Sequence, residues 1–559
     1  MIPLLLANSL WLCSGVAAAR GLRRALQTPL RAQEDLLLSI LRANQDCEYG
    51  KRHGFSRIRS VRDYQTAVPI VSYGDLEEDI DAVKKGRSGV LTSAPVVAFE
   101  KTTGSSAAAK YIPYTAALKR QFRRAVAAWM IDLYSHHPAM MIGKAYWSVS
   151  PAAREREVTP GGLPVGFDDE TEYFGGRDRW LLRRILAAPP ELPAIPDLSS
   201  SRYVTLRFLL EEKRLAFVSV WNPSFLTLLI RYLLEHAERL IEDVRRGQLT
   251  PPVPLPDPLR ETLCRRLRAN PERAAELERA FEQPARLVPS LVWPGLAVVS
   301  CWTSAGAKLF VPEMREFFPH AVIQPKGLIA TEGVVSIPLT GHAGAAPALT
   351  SHFLEFIDGD RPGATPLLAH KLTPGKTYSV VLTTGGGLYR YRLGDRVQVV
   401  GRILETPLVE FIGKEDLVSD LCGEKLHEAY VRKILRELFE QVGLRPSFAM
   451  MAPEWGRPPG YVLFVEAPGF SDPPIESLGA RLEARLKDSP HYRYCRELGQ
   501  LAPARAVLVS GGAARIYLER CLTLGQRAGD VKPTALHCAT GWRQWFRPAG
   551  ADVVAGENP

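Results

Sequence analysis

The stretch Leu382–Gly401 reads L-T-T-G-G-G-L-Y-R-Y-R-L-G-D-R-V-Q-V-V-G. Its three glycines lie between Ser379–Thr383 and Val397–Val400, whose β-branched and apolar residues favour strands. The aspartate of the Gly394-Asp395 pair can accept hydrogen bonds from two ribose hydroxyls, as an acidic residue does in dinucleotide-binding folds. The GxGxxG pattern of those folds is absent, so a nicotinamide cofactor is not indicated.

Outward from this stretch, strand-like and helix-like segments alternate over several hundred residues. Further strands are predicted at Val96–Phe99, Ala297–Ser300 and Val334–Pro338, and helices at Leu36–Ala43, Leu118–Leu133 and Phe225–Arg246. The last of these helices carries an apolar stripe at helical spacing, which is typical of core packing. The mixture predicts an α/β or α+β fold with layered sheets and helices.

A chain of 559 residues exceeds what one hydrophobic core usually organises, so more than one structural unit is expected. We predict a large domain over 1–413 and a small α+β domain over 414–559, with a hinge at 413–416. The small domain shows helix signals at Glu428–Val442 and Ile475–Lys487 and a strand signal at Tyr461–Val465.

Composition narrows the function classes. With 46% hydrophobic and 23% charged residues, the chain is not of the disordered type. The formal charge of +10 is a mild excess of positive charge for this length. The sequence has no dense Lys/Arg run with interleaved aromatic residues, so nucleic-acid binding is not predicted. The eight cysteines form no CxxC pair, which disfavours a disulfide framework or a structural zinc site and fits a cytoplasmic protein.

The apolar N-terminal run Ile2–Ala19 admits two interpretations. No basic segment precedes it, and Asn8, Ser9 and Ser14 interrupt it. These features favour a first helix packed on the body of the protein over a signal peptide or a membrane span. We therefore expect no stable membrane insertion, and we expect a monomer, although nothing in the sequence fixes the oligomeric state.

A hydroxyl-rich loop follows the strand-like Val96–Phe99 and reads Thr102-Thr103-Gly104-Ser105-Ser106-Ala107-Ala108-Ala109-Lys110. Backbone N–H groups, hydroxyls and a nearby lysine suit a phosphate cradle. The spacing does not match the GxxxxGK[ST] loop. Taken alone, such a loop is either a phosphate site or an ordinary turn.

Two further segments carry polar groups between glycines. Gly327–Gly333 contains Thr331 and Glu332, and a glutamate held there suits Mg²⁺ or the polar edge of a nucleotide, or belongs to a surface turn. Gly525–Pro533 contains Lys532, which the following proline holds on stiff backbone. Either Lys532 reaches an anion in another domain or it is an ordinary exposed lysine.

The order of these segments along the chain resembles that of adenylate-forming enzymes. More closely, nearly the whole chain resembles the auxin-responsive Gretchen-Hagen family of acyl-acid amido synthetases in its bacterial form. The resemblance is strongest at Thr102–Thr115, Gly327–Leu339, Leu382–Gly401 and Phe411–Glu428. It implies a large adenylate-forming domain with layered sheets, a small mobile C-terminal domain, and ATP and Mg²⁺ as cofactors.

The resemblance also implies roles for individual residues. Thr103 to Ser106 match a loop that binds the ATP phosphates. Asp395 matches an aspartate that binds the ribose, and Lys532 matches a lysine that contacts the α-phosphate. Lys532 and Glu332 are the catalytic candidates, and Glu332 is also the metal candidate. The ATP-binding candidates are Thr102, Thr103, Gly104, Ser105, Ser106, Lys110, Ala330, Thr331, Glu332, Tyr391, Asp395 and Arg402. The acid-binding candidates are Trp147, Trp221, Asn222, Phe225 and Trp302; the alternative for each aromatic residue among them is ordinary core packing. The hinge candidates are Lys414, Glu415 and Asp416.

The resemblance implies an enzyme that activates a carboxylic acid as its acyl-adenylate and passes the acyl group to an amine, an amino acid in this family. The same first half-reaction serves transfer to a thiol of coenzyme A or a carrier protein, which stays open. A nucleotide-binding relative without catalysis is the third alternative. Ala107 stands where the family commonly has a glycine, which bears on the efficiency of the phosphate loop.

Overall fold

The computed structural model divides the chain into two compact units. The larger contains residues 1–304 and 312–411, and the smaller consists mainly of residues 412–559. The division therefore falls beside the interval 413–416, where the sequence predicts a hinge. The structure describes residues 2–103, 109–148, 157–166, 176–221, 223–304, 311–359, 363–414, 418–419, 421, 424, 426–456, 458–467, 472–497, 501–509, 511–526, 528 and 531–546.

Helices dominate the first part of the larger unit. Those before the first sheet are α1 (Ile2–Cys13), α2 (Val16–Gln27), α3 (Pro29–Ala43), α4 (Glu48–Arg52), α5 (Val61–Ala67) and α6 (Tyr73–Lys84). Those that follow are α7 (Ala116–His136), α8 (Gly176–Ile185), α9 (Leu198–Glu211), α10 (Pro223–Glu235), α11 (Ala237–Arg246), α12 (Asp257–Cys264), α13 (Pro271–Phe281), α14 (Val288–Val292) and α15 (Val311–Phe317).

The first helix packs on the body of the larger unit, as predicted. Ala7 and Trp11 of α1 are buried, and Asn8 donates a hydrogen bond of 2.9 Å to the carbonyl of Met141. Within the described residues, no single helix has the length and hydropathy of a membrane span. The pair Pro3–Cys13 and Val16–Gln27, bent by 43°, reaches that hydropathy together by length and composition.

A parallel sheet lies at the centre of the larger unit. Its strands are β3 (Lys144–Trp147), β6 (Leu215–Ser219), β7 (Val298–Cys301) and β8 (Val322–Pro325), in that spatial order. Alternate residues face two different cores: Ala145, Phe217 and Val298 join one cluster, whereas Tyr146, Val218 and Val299 join the other. Burial on both faces explains why these strands are nearly continuous apolar runs.

Two further sheets and a hairpin complete the larger unit. One sheet has the order β2 (Ala109–Thr115), β1 (Val96–Thr103), β5 (Pro164–Val165) and β4 (Glu157–Val158). The other has the order β11 (Ser336–Pro338), β12 (Ala345–Pro347), β16 (Thr406–Lys414), β15 (Tyr391–Ile403), β14 (Thr377–Thr383) and β13 (Phe353–Asp358). The hairpin consists of β9 (Ile329–Ala330) and β10 (Gly333–Val334). The layered α/β architecture predicted from the sequence is confirmed.

Two predicted elements are wrong in extent. The continuous helix over Phe225–Arg246 is two helices, α10 and α11, because His236 leaves helical geometry at φ −117°, and its ring stacks on Tyr232 at 4.0 Å. The predicted strand Val334–Pro338 is divided between β10 and β11, which belong to different sheets. Apolar periodicity alone did not mark either break.

The smaller unit is built on one three-stranded sheet. Strand β20 (Gly460–Glu466) pairs antiparallel with β19 (Phe448–Glu454) and parallel with β21 (Arg505–Leu508). The remaining elements are β17 (Val418–Ser419), β18 (Leu426–His427), α16 (Glu428–Gln441), α17 (Asp472–Leu486), α18 (Pro490–Glu497) and α19 (Ala513–Thr523). Alternate strand residues face two cores, with α16 and α17 on one face and α19 with Trp542 on the other.

A buried ion pair anchors the segment that the sequence singles out. The guanidinium of Arg390 contacts both carboxylate oxygens of Glu355 on β13 at 3.0 Å. It also donates to the carbonyls of Gln65 and Val68 at 3.0 and 2.7 Å. The side chains are 5% and 0% exposed, so water contributes little to either charge. Arg390 holds a left-handed φ of +49°, a strain that these contacts must offset.

We predict that Glu355→Gln destabilises the larger unit by about 3–5 kcal/mol, because it leaves the charge of Arg390 buried without its counter-charge. Urea unfolding measures this loss. The matched control is Asp35→Asn, which breaks the exposed pair of Asp35 and Arg31 (3.9 Å) and should cost less than about 0.5 kcal/mol. Equal losses in the two variants would contradict the role given to the buried pair.

A second prediction concerns pH. Burial lowers the pKa of His352 to about 3, with a smaller contribution from the charge of Arg124. Below the ordinary pKa of 6.5 the unfolded chain therefore takes up a proton that the folded chain refuses, and stability falls as pH drops. We expect a loss of about 2 kcal/mol between pH 6.5 and pH 5 from this residue. In His352→Leu, the free energy of unfolding measured with urea should lose that amount of its change between pH 6.5 and pH 5. An unchanged pH dependence would refute the assignment.

Candidate active site

Three of the sequence segments meet at the end of β2. The hydroxyl of Tyr114 donates a hydrogen bond of 2.6 Å to the carbonyl of Thr331. The hydroxyl of Thr115 donates one of 2.7 Å to the carbonyl of Gly385. Adjacent residues thus tie the strand that follows the phosphate-loop candidate to two segments more than 200 residues away in sequence. This junction is the clearest convergence of predicted site segments in the larger unit.

The phosphate-loop candidate lies at the tip of the β1–β2 hairpin. Thr102 pairs with Lys110 and Thr103 with Ala109, so the intervening residues connect two adjacent antiparallel strands. Gly104, Ser105 and Ser106, like Ala107, lie outside the described residues. The half-buried Lys110 holds its ammonium 5.9 Å from the ring centroid of Tyr73. The predicted roles of these residues stay predictions.

The β9–β10 hairpin presents Thr331 and Glu332 in a two-residue turn, since Ala330 pairs with Gly333. Glu332 is only 8% exposed and is engaged in contacts. A buried carboxylate is costly unless it is paired or binds a cation, which makes this turn distinctive. The sequence-based alternative of an ordinary surface turn does not describe a glutamate buried to this degree.

The three glycines are required by close packing against the start of α7. A Cβ on Gly386 would lie 2.7 Å from the Leu118 side chain and 2.9 Å from the carbonyl oxygen of Pro113. Gly387 has a φ of +96°, and its Cβ would lie 2.8 Å from Leu91. The side chain of Gln121 on α7 accepts from the Gly385 N–H at 2.8 Å. The turn therefore fixes β15, which carries Asp395, against the helix that follows the phosphate-loop hairpin.

Asp395 lies on the buried face of β15. Residues 391, 393, 395, 397 and 399 are buried in alternation, so Asp395 shares a face with Tyr391 and Val397. Its 3% exposure places a carboxylate in an otherwise apolar row, which is a common mark of a functional group.

Arg402 is not brought to this site. It is exposed at the far end of β15 and donates to the Glu405 carbonyl at 3.2 Å within its own turn. Seven extended residues separate Arg402 from Asp395, or about 23 Å. The sequence alone does not indicate that β15 continues to Ile403, which carries Arg402 away from the ribose candidate.

Among the described residues of the larger unit, the clustered side-chain donors are too few to bind Mg²⁺ without further ligands. No group of three or more His, Cys, Asp or Glu side chains in the described residues could hold a metal ion by itself. Mg²⁺ commonly uses one or two carboxylates together with phosphate oxygens and water. The buried carboxylate of Glu332 at the hairpin turn fits that donor set.

The acid-binding candidates lie along the carboxyl edge of the parallel sheet. Trp147 ends β3, Trp221 follows β6, and Trp302 follows β7; all three are half-buried. The rings of Trp221 and Trp302 lie 5.4 Å apart, and Trp147 lies 6.2 Å from Trp11. Phe225 instead packs against the helical core on the other face of the sheet, and Asn222 lies outside the described residues.

One charged residue at this edge was missed from the sequence. Lys326 directly follows β8, is 4% exposed, and donates a hydrogen bond of 2.6 Å to the hydroxyl of Ser219. The available signal was topological: ligands of open parallel sheets bind beyond the carboxyl ends of the strands. Lys326 follows such an end, whereas the glycines just after it drew attention to Thr331 and Glu332.

In the smaller unit, Lys532 is exposed on a loop whose backbone is fixed. The hydroxyl of Tyr517 donates to the Lys532 carbonyl at 2.7 Å. The buried Glu428 accepts from the N–H of Ala535 at 3.0 Å and pairs with Arg432. Lys532 thus extends from an anchored segment.

Helix α16, which carries Glu428 and Arg432, also contacts the start of the smaller unit. Arg432 on α16 donates to the Ile412 carbonyl at 3.0 Å, next to Gly413, whose φ is +149°. The Lys532 loop and the segment before the predicted hinge are therefore held by one helical turn of α16. Lys414 ends β16, while Glu415 and Asp416 lie outside the described residues.

Comparison with known families decides what this arrangement belongs to. Residues 18–323 match the GH3 family N-terminal domain, 346–414 the GH3 family central domain, and 428–538 the GH3 family C-terminal domain. The chain belongs to the GH3 family. The resemblance drawn from the sequence is confirmed. The hydrogen bond between Thr115 and Gly385 joins the residues that match the N-terminal and central domains of this family.

Relatives in the GH3 family are similar over most of their length. The chain is 24% identical to the probable indole-3-acetic acid-amido synthetase GH3.1 of Arabidopsis thaliana, over 78% of this chain and 76% of that protein. It is 24% identical to the jasmonoyl-L-amino acid synthetase GH3.5 of Oryza sativa subsp. japonica, over 90% and 91%. The solved structure of the AtGH3.15 acyl acid amido synthetase in complex with 2,4-DB superposes with a TM-score of 0.80 at 20% identity, covering 93% of both chains. This likeness shows that the fold is shared.

We predict that Tyr114→Phe loosens the β9–β10 hairpin, because it removes the hydrogen bond that holds the Thr331 carbonyl. Amide hydrogen exchange of residues 329–334 should accelerate, with a stability loss of about 1 kcal/mol. The matched control is Tyr378→Phe, whose buried hydroxyl accepts from the Thr373 N–H at 3.0 Å. That variant should lose similar stability without faster exchange at the hairpin, and identical exchange patterns would argue against the junction.

Proposed function

We propose that this protein is an ATP-dependent ligase that converts a carboxylic acid to its acyl-adenylate and then transfers the acyl group to an amine, an amino acid. The observation that carries the proposal is the convergence of the phosphate-loop hairpin, the Thr331–Glu332 turn and the glycine turn before Asp395, in a chain of the GH3 family. The names of the relatives, which are amido synthetases acting on indole-3-acetic acid or forming jasmonoyl–amino acid conjugates, support the amine as acceptor.

In the first half-reaction, a carboxylate oxygen attacks the α-phosphorus of ATP and the bond to pyrophosphate breaks. Two anions approach each other, so positive charge must be supplied where charge develops. Thr102, Thr103 and Lys110 flank the loop that we assign to the phosphates, and Asp395 is assigned to the ribose. Glu332 would hold Mg²⁺, which when bound neutralises phosphate charge. Lys532 is assigned to the α-phosphate.

In the second half-reaction, the amine attacks the carbonyl carbon of the adenylate, the bond to AMP breaks, and the amine gives up a proton. Lys532 is assigned to the first step and not to this one. A mobile small domain that rotates at Gly413 to Asp416 separates the two steps. Gly413 supports this assignment, because its φ of +149° is one that other residues rarely adopt.

The thiol acceptor and the non-catalytic relative remain as alternatives with distinct consequences. A ligase ending on coenzyme A would share every residue of the first half-reaction. A binding protein would bind ATP without acid-dependent chemistry. The burial of Glu332 and Asp395 and the anchored Lys532 loop favour catalysis, since binding alone does not need a lysine held at a loop tip. A monomeric, cytoplasmic enzyme without membrane insertion is part of this proposal.

The predicted result is acid-dependent exchange of pyrophosphate into ATP, over a panel of aromatic, indolic and fatty acids. Lys532→Ala and Asp395→Ala should each lower exchange by at least about 100-fold, since each removes a group that acts on the reacting nucleotide. The matched control is Lys433→Ala, which removes an exposed lysine of the same unit, 64% exposed, and should leave exchange unchanged.

Exchange that survives Lys532→Ala would contradict the mechanism. If no acid in the panel supports exchange although the protein binds ATP measurably, the result would favour the binding protein. Product analysis with hydroxylamine, the amino acids and coenzyme A then distinguishes the acceptors. Formation of an amide with one class of amino acids is expected and supports the proposal. Formation of a thioester alone would overturn the second half of the proposal.

A further inference from the structure

Lys326 is a buried cation at the carboxyl edge of the parallel sheet, and none of the roles above uses it. Its ammonium donates to the Ser219 hydroxyl at 2.6 Å, and the residue is 4% exposed. Lysine is rarely buried to this degree, because taking an ammonium group out of water is costly unless an anion or several acceptors replace the water. Buried at the edge where ligands of parallel sheets bind, this ammonium is a candidate for holding an anionic ligand.

Aromatic rings define the surroundings of this ammonium. Nζ lies 4.9 Å from the ring centroid of Trp221 and 5.3 Å from that of Trp129, distances at which an indole face attracts a cation. Trp221 is half-buried, and its carbonyl accepts from the N–H of Trp302 at 2.8 Å. The cation thus adjoins a partly exposed wall of two indoles.

Neighbouring polar groups hold the arrangement in place. Ser219 and Gln324 occupy the same row across the sheet, each paired with Ser300 of β7. The indole N–H of Trp129 donates to the Gln324 side chain at 3.0 Å. The ring beside Lys326 and the hydroxyl that accepts from it are both positioned by the sheet, so little reorganisation is needed when an anion binds.

We propose that Lys326 binds the carboxylate of the acid substrate, with Trp221 and Trp302 in contact with its apolar part; this rests on the proposed function. One carboxylate oxygen accepts from the Lys326 ammonium, and the second stays available to attack the α-phosphorus. The indole wall offers apolar surface to the acid, which a triphosphate could not use. Thr331, on the hairpin assigned to the nucleotide, lies only five positions after Lys326 in the sequence.

The test is calorimetric titration in the absence of ATP, with three acids and their neutral amides: phenylacetate and phenylacetamide, indole-3-acetate and indole-3-acetamide, and decanoate and decanamide. The wild type should bind at least one acid about 10-fold or more tightly than its amide. Lys326→Met should weaken that acid about 10- to 100-fold and its amide less than about 3-fold, as expected for loss of a charge-assisted hydrogen bond. ATP affinity should not change.

Two further variants guard against a folding defect. Lys326→Arg keeps the charge and should retain part of the acid preference. Ser219→Ala leaves the ammonium in place without its acceptor and should reduce the preference by a smaller factor. Equal weakening of acid and amide in Lys326→Met would show that Lys326 acts by packing alone and would overturn the proposal.

The outcomes separate this proposal from the proposed function. Acid preference that Lys326→Met abolishes, in a protein without pyrophosphate exchange, supports the carboxylate site and rejects the ligase. Pyrophosphate exchange in a protein whose acid preference survives Lys326→Met supports the ligase and rejects the carboxylate site. Wild-type protein that binds none of the three acids overturns the carboxylate site.

Discussion

The arrangement of the larger unit depends on the buried pair of Arg390 and Glu355. Burying either charge alone in the core would have a large desolvation cost. Both charges are paired and hydrogen-bonded only when β13, the end of α5 and the segment after the glycine turn pack together. The pair therefore makes the correct assembly of these three segments necessary, more than it adds net stability. It also explains a left-handed φ at Arg390, since the backbone bends there to aim the guanidinium inward.

That constraint propagates to the site through backbone contacts. With Arg390 fixed, the three glycines turn against α7, and the Gly385 carbonyl accepts from Thr115. Tyr114, the neighbouring residue, holds the Thr331 carbonyl. The turns that carry the candidate carboxylates Glu332 and Asp395 are therefore positioned by residues outside the candidate set, as expected when a site must be preorganised.

The sequence was a good guide to local elements and a poor guide to what joins them. The strand around Ser379–Thr383 was predictable because β-branched runs act locally. Asp395 became a candidate through its Gly-Asp setting, but the extension of β15 to Arg402 was not predicted, since strand length depends on pairing partners. Lys326 was missed for the same reason: a lysine next to a proline and a glycine looks exposed until the parallel sheet buries it.

Three lysines differ in burial, and the difference matches the role proposed for each charge. Lys326 is buried and held by Ser219, which suits a fixed anion that must be desolvated before it reacts. Lys110 is half-buried on a strand, where it can follow the phosphates of a bound nucleotide. Lys532 is exposed on an anchored loop of the smaller unit, so water can solvate its ammonium group. If Lys532 acts in the first half-reaction only, as proposed, its charge must be stable in water, whereas the site proposed for the acid holds Lys326 at 4% exposure.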